Sequence, residues 1–476
     1  STVVANAYVG PRVGRYLGEI ASHLQAESFP GEFLLVQSTG GLFRAAQAQS
    51  ECVRILESGP AAGVIGTRAL CQRLGVAQAI AFDMGGTTAK AGVIHHGAAL
   101  TKGATLVGGY AQGLPVQIPM IDIFEVGTGG GSIASLDEAG ALRVGPQSAG
   151  ADPGPACYGR GGTAATVTDA NLLLGRLDGD RFLGGEMKLD GEAARAAIGE
   201  RVARPLGMAP ARAADGILRI AVTAMSHAVK GVSTDRGLDA AAFTLVAYGG
   251  AGPLHASAIA REIGMKRFIV PRAPGHFCAF GMLHSDLRYD YVRSWFTRLD
   301  DVDAAELERR LEALAKPGRH RLGRRPATVC RALDMRYVGQ EHPVSVDLPR
   351  GALRRERVKA LFDAEHLRRY GTNAPAERAE IVSLRATVTG KMSKPPLEKI
   401  RRGTARPPRE SLIARHKVWF GERWRESPVY ARERLLAGNR IAGPALVEEH
   451  ASTTVLQPGD RLTVDAFGNL DVEVGR

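Results

Sequence analysis

The sequence predicts an α/β fold, and three observations carry that expectation. Two glycine loops, Asp83-Met84-Gly85-Gly86-Thr87-Thr88 and Gly249-Gly250-Ala251-Gly252, each follow a short apolar strand. From 243 to 270 the chain reads strand, glycine loop, amphipathic helix, strand, a crossover with its loop at the strand's carboxyl end. The 58 glycines set against 14 Phe, 10 Tyr and 3 Trp point to many tight loops rather than an aromatic-rich sandwich.

The totals agree with a large globular protein. A chain of 476 residues has room for about three domains. Apolar content of 45% and charged content of 23% are ordinary, so a sizeable core can form. Five scattered cysteines (Cys52, Cys71, Cys157, Cys278, Cys330) contain no CxxC pair, which predicts reduced thiols and a cytoplasmic location. No apolar run reaches the roughly 20 residues of a membrane span. The net charge of +12 comes mostly from arginine beyond residue 300, as in RRLEALAKPGRHRLGRR (309–325) and ERWRESPVYARERL (422–435). Neither a sustained interleaving of this charge with aromatics nor a recognisable nucleic-acid-binding module is evident. A solvated basic face, or a surface for an acidic partner subunit, is the expectation instead.

Taken in order, residues 8–25 carry apolar positions at helical spacing ahead of a strand-like EFLLVQ, as though the chain opened within a domain. A helix starts at Gly59-Pro60. AIAFD, KAGVI and HHGAAL then form a glycine-looped β-meander. From 103 to 165 the glycine and proline content (GGY, GTGGGS, GPQSAGADPGP, GRGG) predicts mostly loop, and long loops inside a compact domain are usually functional. A helix begins at TDANLLLG with a Thr/Asp cap, and a long small-residue helix covers 211–238. After about Arg293 arginine-rich helices (301–324, 351–370) alternate with strand-like segments, and the last stretch is all short β. The expected division is therefore a core over 1–292 and a smaller α+β domain over 293–476.

The chemistry rests on the two loops. Glycines let backbone N–H groups approach phosphate oxygens, and threonine hydroxyls add donors. The second loop opens a helix, whose N-terminus favours an anion or a close-packed nucleoside. Asp83 stands at a strand end, where an acid can hold a metal through water or orient a nucleophilic water; its plainer role is a hairpin cap. Lys90 could reach a phosphate or simply point to solvent. No GxxxxGK[ST] occurs, and GTGGGS (127–132) lacks the context of a dinucleotide fingerprint. Among nucleotide folds, a two-lobed actin-like or sugar-kinase-like ATPase suits the paired loops best.

Longer stretches then carry a resemblance. ILESGPAAGVIG (55–66), AFDMGGTTAK (81–90), GTGGGSIA (127–134) and LRVGPQSAGADPGPACYGRGGTAATVTDANLLLGRL (142–177) resemble the hydantoinase A / 5-oxoprolinase family. VAYGGAGPLHA (246–256), VPRAPGHFCAFGML (270–283) and IAGPALVEEHASTTVLQPG (441–459) continue it over essentially the whole chain. The resemblance implies an actin-like, ribonuclease H-like ATPase core that activates a carbonyl oxygen with ATP and Mg²⁺, together with a separate B-type subunit. The activity implied is ring opening of a cyclic amide such as a hydantoin or 5-oxoproline. The related acetone and acetophenone carboxylase subunits offer ketone carboxylation as the alternative.

On the family pattern, Asp83, Gly85, Gly86, Thr87 and Thr88 match a phosphate loop, and Gly249, Gly250 and Gly252 an adenosine-side loop. Asp152, Cys157 and Asp169 lie in the family's signature stretch near the expected cleft. Cys157 reads as a nucleophile or a small packed thiol, Asp169 as a metal or substrate ligand or a helix cap. His255 reads as a cleft wall or a structural hydrogen bond. Many members have a histidine where this chain has Phe124, so a metal role there does not transfer, although Asp122 and Glu125 offer carboxylates. Full-length members begin with a domain bearing a first Asp-x-Gly-Gly-Thr loop. No such loop precedes Asp83 here, which implies a core incomplete at its N-terminal lobe, with that lobe on another polypeptide, a fragment, or a non-catalytic assembly subunit.

Overall fold

The computed structural model describes residues 2–103, 105–107, 113–349, 351 and 353–475. At its centre is a sheet whose strands run Ile123–Val126, Ala89–His95, Ala79–Met84, Thr244–Tyr248, Arg267–Val270, Leu470–Glu473, Arg461–Val464 and Arg440–Ala442. Thr244–Tyr248 lies parallel to both Ala79–Met84 and Arg267–Val270, with Tyr248 opposite Asp83. The helix Gly252–Ile263 makes the crossover between the two parallel strands, as its glycine loop and amphipathic pattern predicted.

Strand side chains alternate between faces, and both faces here are apolar, so both must be covered. Ile80, Phe82, Leu245, Ala247, Phe268 and Val270 pack with the helices Pro210–Val232 and Gly252–Ile263. Ala79, Ala81, Val246, Tyr248 and Ile269 pack instead with Ser58–Leu74 and with Phe277. Asp83 continues this second face. Glycine permits the close approach of Ser58–Leu74: a Cβ on Gly63 would lie 2.4 Å from the Tyr248 hydroxyl.

The expected division at 292/293 falls inside one strand, Leu287–Arg298. That strand belongs to a six-stranded sheet in the order Leu34–Val36, Leu42–Arg44, Leu287–Arg298, Ala379–Gly390, Ala327–Tyr337, Val344–Leu348. The sheet thus takes strands from both ends of the chain. In the other direction, Leu470–Glu473 pairs antiparallel with Arg267–Val270 and extends the central sheet. Leu470 and Val472 are fully buried in the main core. Sequence order and spatial order differ because apolar strands pair wherever their faces can be covered, whatever their separation along the chain.

The stretch predicted as loop is more regular than its composition suggests. Ile123–Val126 joins the edge of the central sheet against Ala89–His95, and Ser132–Leu136 pairs with Leu142–Ser148 as a hairpin. The GGY segment (108–110) lies outside the described residues. Thr166 caps the helix Val167–Leu173, two residues before the Thr168-Asp169 cap expected, and Asp169 closes the capping box from inside the helix. No helix among the described residues is long and apolar enough to cross a membrane.

Candidate functional site

The turn after Ala79–Met84 exposes Gly85, Gly86 and Thr87. It is held from beneath by the third glycine run. The N–H groups of Gly130 and Gly131 donate to the carbonyls of Gly85 and Gly86 at 3.0 and 2.6 Å. A Cβ on Gly129 would stand 2.5 Å from the Thr87 nitrogen, so this backbone-on-backbone contact requires glycine. Thr168 ties the run to the next helix, donating to the Gly130 carbonyl at 2.8 Å from both its N–H and its hydroxyl. With those two carbonyls engaged, the exposed turn offers chiefly donors. The structure therefore gives GTGGGS a role that its spacing did not reveal: it is a strap beneath the turn.

The second loop lies against the first. Ala251 N–H donates to the Met84 carbonyl at 3.0 Å, and Gly249 N–H to the Pro274 carbonyl at 2.9 Å. Gly249 has φ +79°, and a Cβ there would lie 2.4 Å from the Met84 oxygen and 2.5 Å from Asp83 Oδ1. Gly250 is less confined, its nearest neighbour being the Ala451 oxygen at 3.4 Å. Gly252 begins the helix with only ordinary contacts to Met84 and Phe82.

Gly85, Gly86, Gly130, Thr168, Gly250 and Ala251 share one cavity of about 180 Å³. Its opposite walls come from two segments that sequence reasoning gave no role, Leu177–Leu183 and Glu448–Thr453. The second of these is the VEEHASTT hairpin near the end of the chain. Only its presence in the resemblance could have drawn attention to it. On these walls Arg181 donates to Glu448 at 2.8 and 3.2 Å and forms an ion pair with Asp178 at 2.7 Å. His416 Nε2 stands 3.1 Å from Asp178. Asp178, His416 and Glu448 could together hold a metal ion by spacing alone, but the Arg181 guanidinium already engages both carboxylates.

The other predicted residues divide sharply. Asp83 lies half-buried at the strand end, on the sheet face away from Phe82, and does not line the cavity. Burial raises its carboxyl above the usual range, partly offset by a weak bond from Cys278 Sγ at 3.5 Å and by the Lys90 charge. The Cys278 thiol is in turn pushed up to about 12 by burial and by Asp83. Lys90 does not reach for a phosphate: Glu57 at 2.7 Å and Glu125 at 3.5 Å hold it. Thr88 closes the turn, its carbonyl accepting from Gly85 N–H at 3.3 Å.

Asp122 does not join Asp83 in a metal group. Its buried carboxylate is bound by Arg236 and by Lys102, which leaves it no spare charge for a divalent ion. Asp152 is exposed and away from the cavity. Asp169 is fully buried and accepts from Ala156, Cys157 and Thr166 N–H groups and the Thr166 hydroxyl, at 3.3, 2.7, 2.9 and 2.7 Å. It therefore clasps the signature loop to its helix, in a capping box with Thr166.

Cys157 is fully buried, and burial together with Asp169 pushes its thiol far up, which favours the packed-thiol reading over the nucleophile. His255 is likewise buried, lowered to about 3 by burial and nearby Arg176, and stands 3.5 Å from Asn171. It is a neutral ring inside the fold, while its neighbour Leu254 lines the cavity. Phe124 packs beneath Gly231 of the long helix, an apolar contact.

Glycine loops converging at the carboxyl ends of parallel strands, in a mixed α/β sheet covered on both faces, define a core of the actin-like ATPase type. Residues 1–291 match the hydantoinase/oxoprolinase family and residues 320–473 match its C-terminal domain. The chain belongs to that family. It is 35% identical over 492 residues to the caprolactamase subunit alpha of Pseudomonas jessenii, covering 100% of this chain and 69% of that protein. The acetophenone carboxylase gamma subunit of Aromatoleum aromaticum is 32% identical, with 98% and 66% covered. The crystal structure of the ATP-dependent caprolactamase from P. jessenii superposes with a TM-score of 0.85 and 33% identity, covering 100% of this chain and 70% of that one.

Proposed function

We propose that this chain is the nucleotide-binding subunit of an enzyme that uses ATP to activate the carbonyl of a cyclic amide for hydrolytic ring opening. The observation that carries the reading is the meeting of both glycine loops on one cavity. At about 180 Å³ the cavity is smaller than the roughly 300–1,000 Å³ of a pocket that swallows a drug-sized ligand. It suits a nucleoside base, with the phosphates outside over the exposed Gly85–Thr87 turn.

In this reading Gly85, Gly86 and Thr87 orient the phosphates through backbone and hydroxyl donors, and the helix N-terminus after Gly250 faces the nucleotide. Transfer of the γ-phosphoryl group to the amide oxygen expels ADP and leaves the ring carbon open to water. Addition of water and loss of phosphate then release the open chain. Asp83 fits a Mg²⁺ ion through water, because its carboxylate has only a weak thiol partner; Asp122 does not fit. Such an ion, when bound, neutralises charge on the transferring phosphoryl group.

Two relatives are named as subunits of larger enzymes, which supports a partner, and we assign that role to a B-type subunit. The carboxylase relative supports a second reading, in which the same ATP chemistry activates a ketone or bicarbonate. The test is turnover of ATP by the chain with its partner subunit, offered a lactam, a hydantoin, 5-oxoproline or a ketone. Ring-opened product without bicarbonate supports the first reading, and bicarbonate-dependent product the second. ATP consumption with none of these substrates overturns both.

A further inference from the structure

Among the described residues two arginines are buried, and they differ in what surrounds them. Arg432 pairs with Glu449 at 2.6 Å and donates to the carbonyls of Val270 and Gly468, each at 3.0 Å. Arg176 is as deeply placed, at 7% exposure, yet its side chain has no hydrogen bond and no ion pair among the described residues. Burial lowers its guanidinium to about 10, with Asp215 opposing, so the charge persists at neutral pH. Asp215 acts from beyond ion-pair distance and is shared with Arg219. The Phe420 ring, 5.9 Å away, attracts the charge but cannot cancel it. A buried charge in this state is costly unless a counter-charge reaches it.

His255 brings a second donor to the same corner. Its Nε2 faces the amide nitrogen of Asn171 at 3.5 Å, which makes Nε2 the acceptor and puts the ring proton on Nδ1. That Nδ1 is buried and also has no partner among the described residues. Burial and the Arg176 charge keep the ring neutral, so it offers an N–H without adding charge. Asn171 links the pair, its carbonyl accepting from Arg176 N–H at 2.9 Å. The Asn171 Oδ1 is a buried acceptor that a water beside an anion would satisfy.

We propose that Arg176 and His255 hold a chloride ion inside the fold, one layer behind the glycine-loop cavity. The guanidinium supplies the charge, and its Nε–H and the imidazole Nδ1–H supply donors. The little surface left to Arg176 favours a small spherical ion over phosphate or an organic acid. Leu177 and Leu254, the next residue and the preceding one, line the cavity, so the ion would pin two of its walls together from behind. This site stands apart from the nucleotide reading and from the substrate.

The experiment is thermal unfolding of the full chain in about 0.1 M chloride and in gluconate of equal ionic strength, which equalises screening of the +12 surface. Chloride is expected to raise the midpoint by about 3 °C or more in the unaltered chain, and by less than about 1 °C in Arg176→Met. An equal response in the two means that salt acts on the basic surface, and overturns the inference. Crystals of the unaltered chain grown in bromide decide the matter even if Arg176→Met does not fold. An anomalous peak within hydrogen-bonding reach of Arg176 Nε and His255 Nδ1 is expected. Water alone at that position overturns the inference and leaves the nucleotide reading untouched.

Discussion

Asp83 and Asp169 are both family-motif aspartates beside glycine-rich turns, and in sequence either could be a ligand. Their surroundings separate them. Asp169 is fully buried with four donors aimed at it, so its hydrogen-bonding capacity is used inside the fold. Asp83 is half-buried with one weak thiol contact at 3.5 Å, and burial disfavours its charge with only partial offset from Cys278 and Lys90. A carboxylate already satisfied by backbone N–H groups holds structure together, whereas an under-satisfied one at a strand end retains capacity for a ligand.

The sharpest way to break this comparison is to remove each acid in turn. Asp83→Ala, in the assembled enzyme, is expected to cut ATP turnover by on the order of 10²–10⁴-fold with no loss of stability. Unaltered turnover would reduce Asp83 to a hairpin cap. Asp169→Ala strands several buried N–H groups, and a cost of about 3 kcal/mol in denaturant unfolding is expected. A cost near zero would mean that the clasp is not structural.

The glycines of the second loop sharpen the same contrast. Gly249→Ala places a Cβ against Met84 and Asp83 at positive φ, so about 1–3 kcal/mol of strain is expected along with impaired binding. Gly250→Val is expected to fold normally and lose nucleotide binding, because its side chain enters the cavity. Equal effects on stability from the two would erase the distinction.

Titration gives a further check. The Asp83 carboxyl is raised in the folded state, so its contribution to stability is present below the unfolded pKa of about 3.9 and is lost as pH rises through the folded value. Asp83→Asn should therefore gain on the unaltered chain as pH rises above 4, measured by unfolding across that range. The smallest effect belongs to Lys90→Met. Its partners are partly exposed, so a stability change below about 1 kcal/mol is expected, with nucleotide affinity unchanged.

Much of the local architecture could be read from the chain. The strands Ala79–Met84, Thr244–Tyr248 and Arg267–Val270 are short apolar runs bounded by glycine or proline, and the helix Gly252–Ile263 stops at a left-handed Gly264. The pairing of Ile123–Val126 and of Leu142–Ser148 was hidden by surrounding glycine and proline, because those residues report on turns and not on the partners of the segments between them.

The site was legible only in part. Gly85, Gly86 and Gly250 meet on the cavity, but Asp122 has two cations around it that no spacing rule predicts, and Cys157 and His255 turn into the core. Conversely, Arg181 and Glu448 are far apart in the chain and belong to no local motif, yet they form one wall.

The sequence by itself determined the α/β character, the two loops able to approach phosphate, and a family resemblance running the length of the chain. These follow from residue type and short-range spacing, where backbone freedom and apolar periodicity act over a few positions. Only the tertiary structure decided that the glycine run at 129–131 straps the turn and that the VEEHASTT hairpin walls the cavity. It also decided which acids are already neutralised. Those outcomes depend on contacts between distant segments, and the energy of a buried charge or hydrogen bond is set by what surrounds it in space.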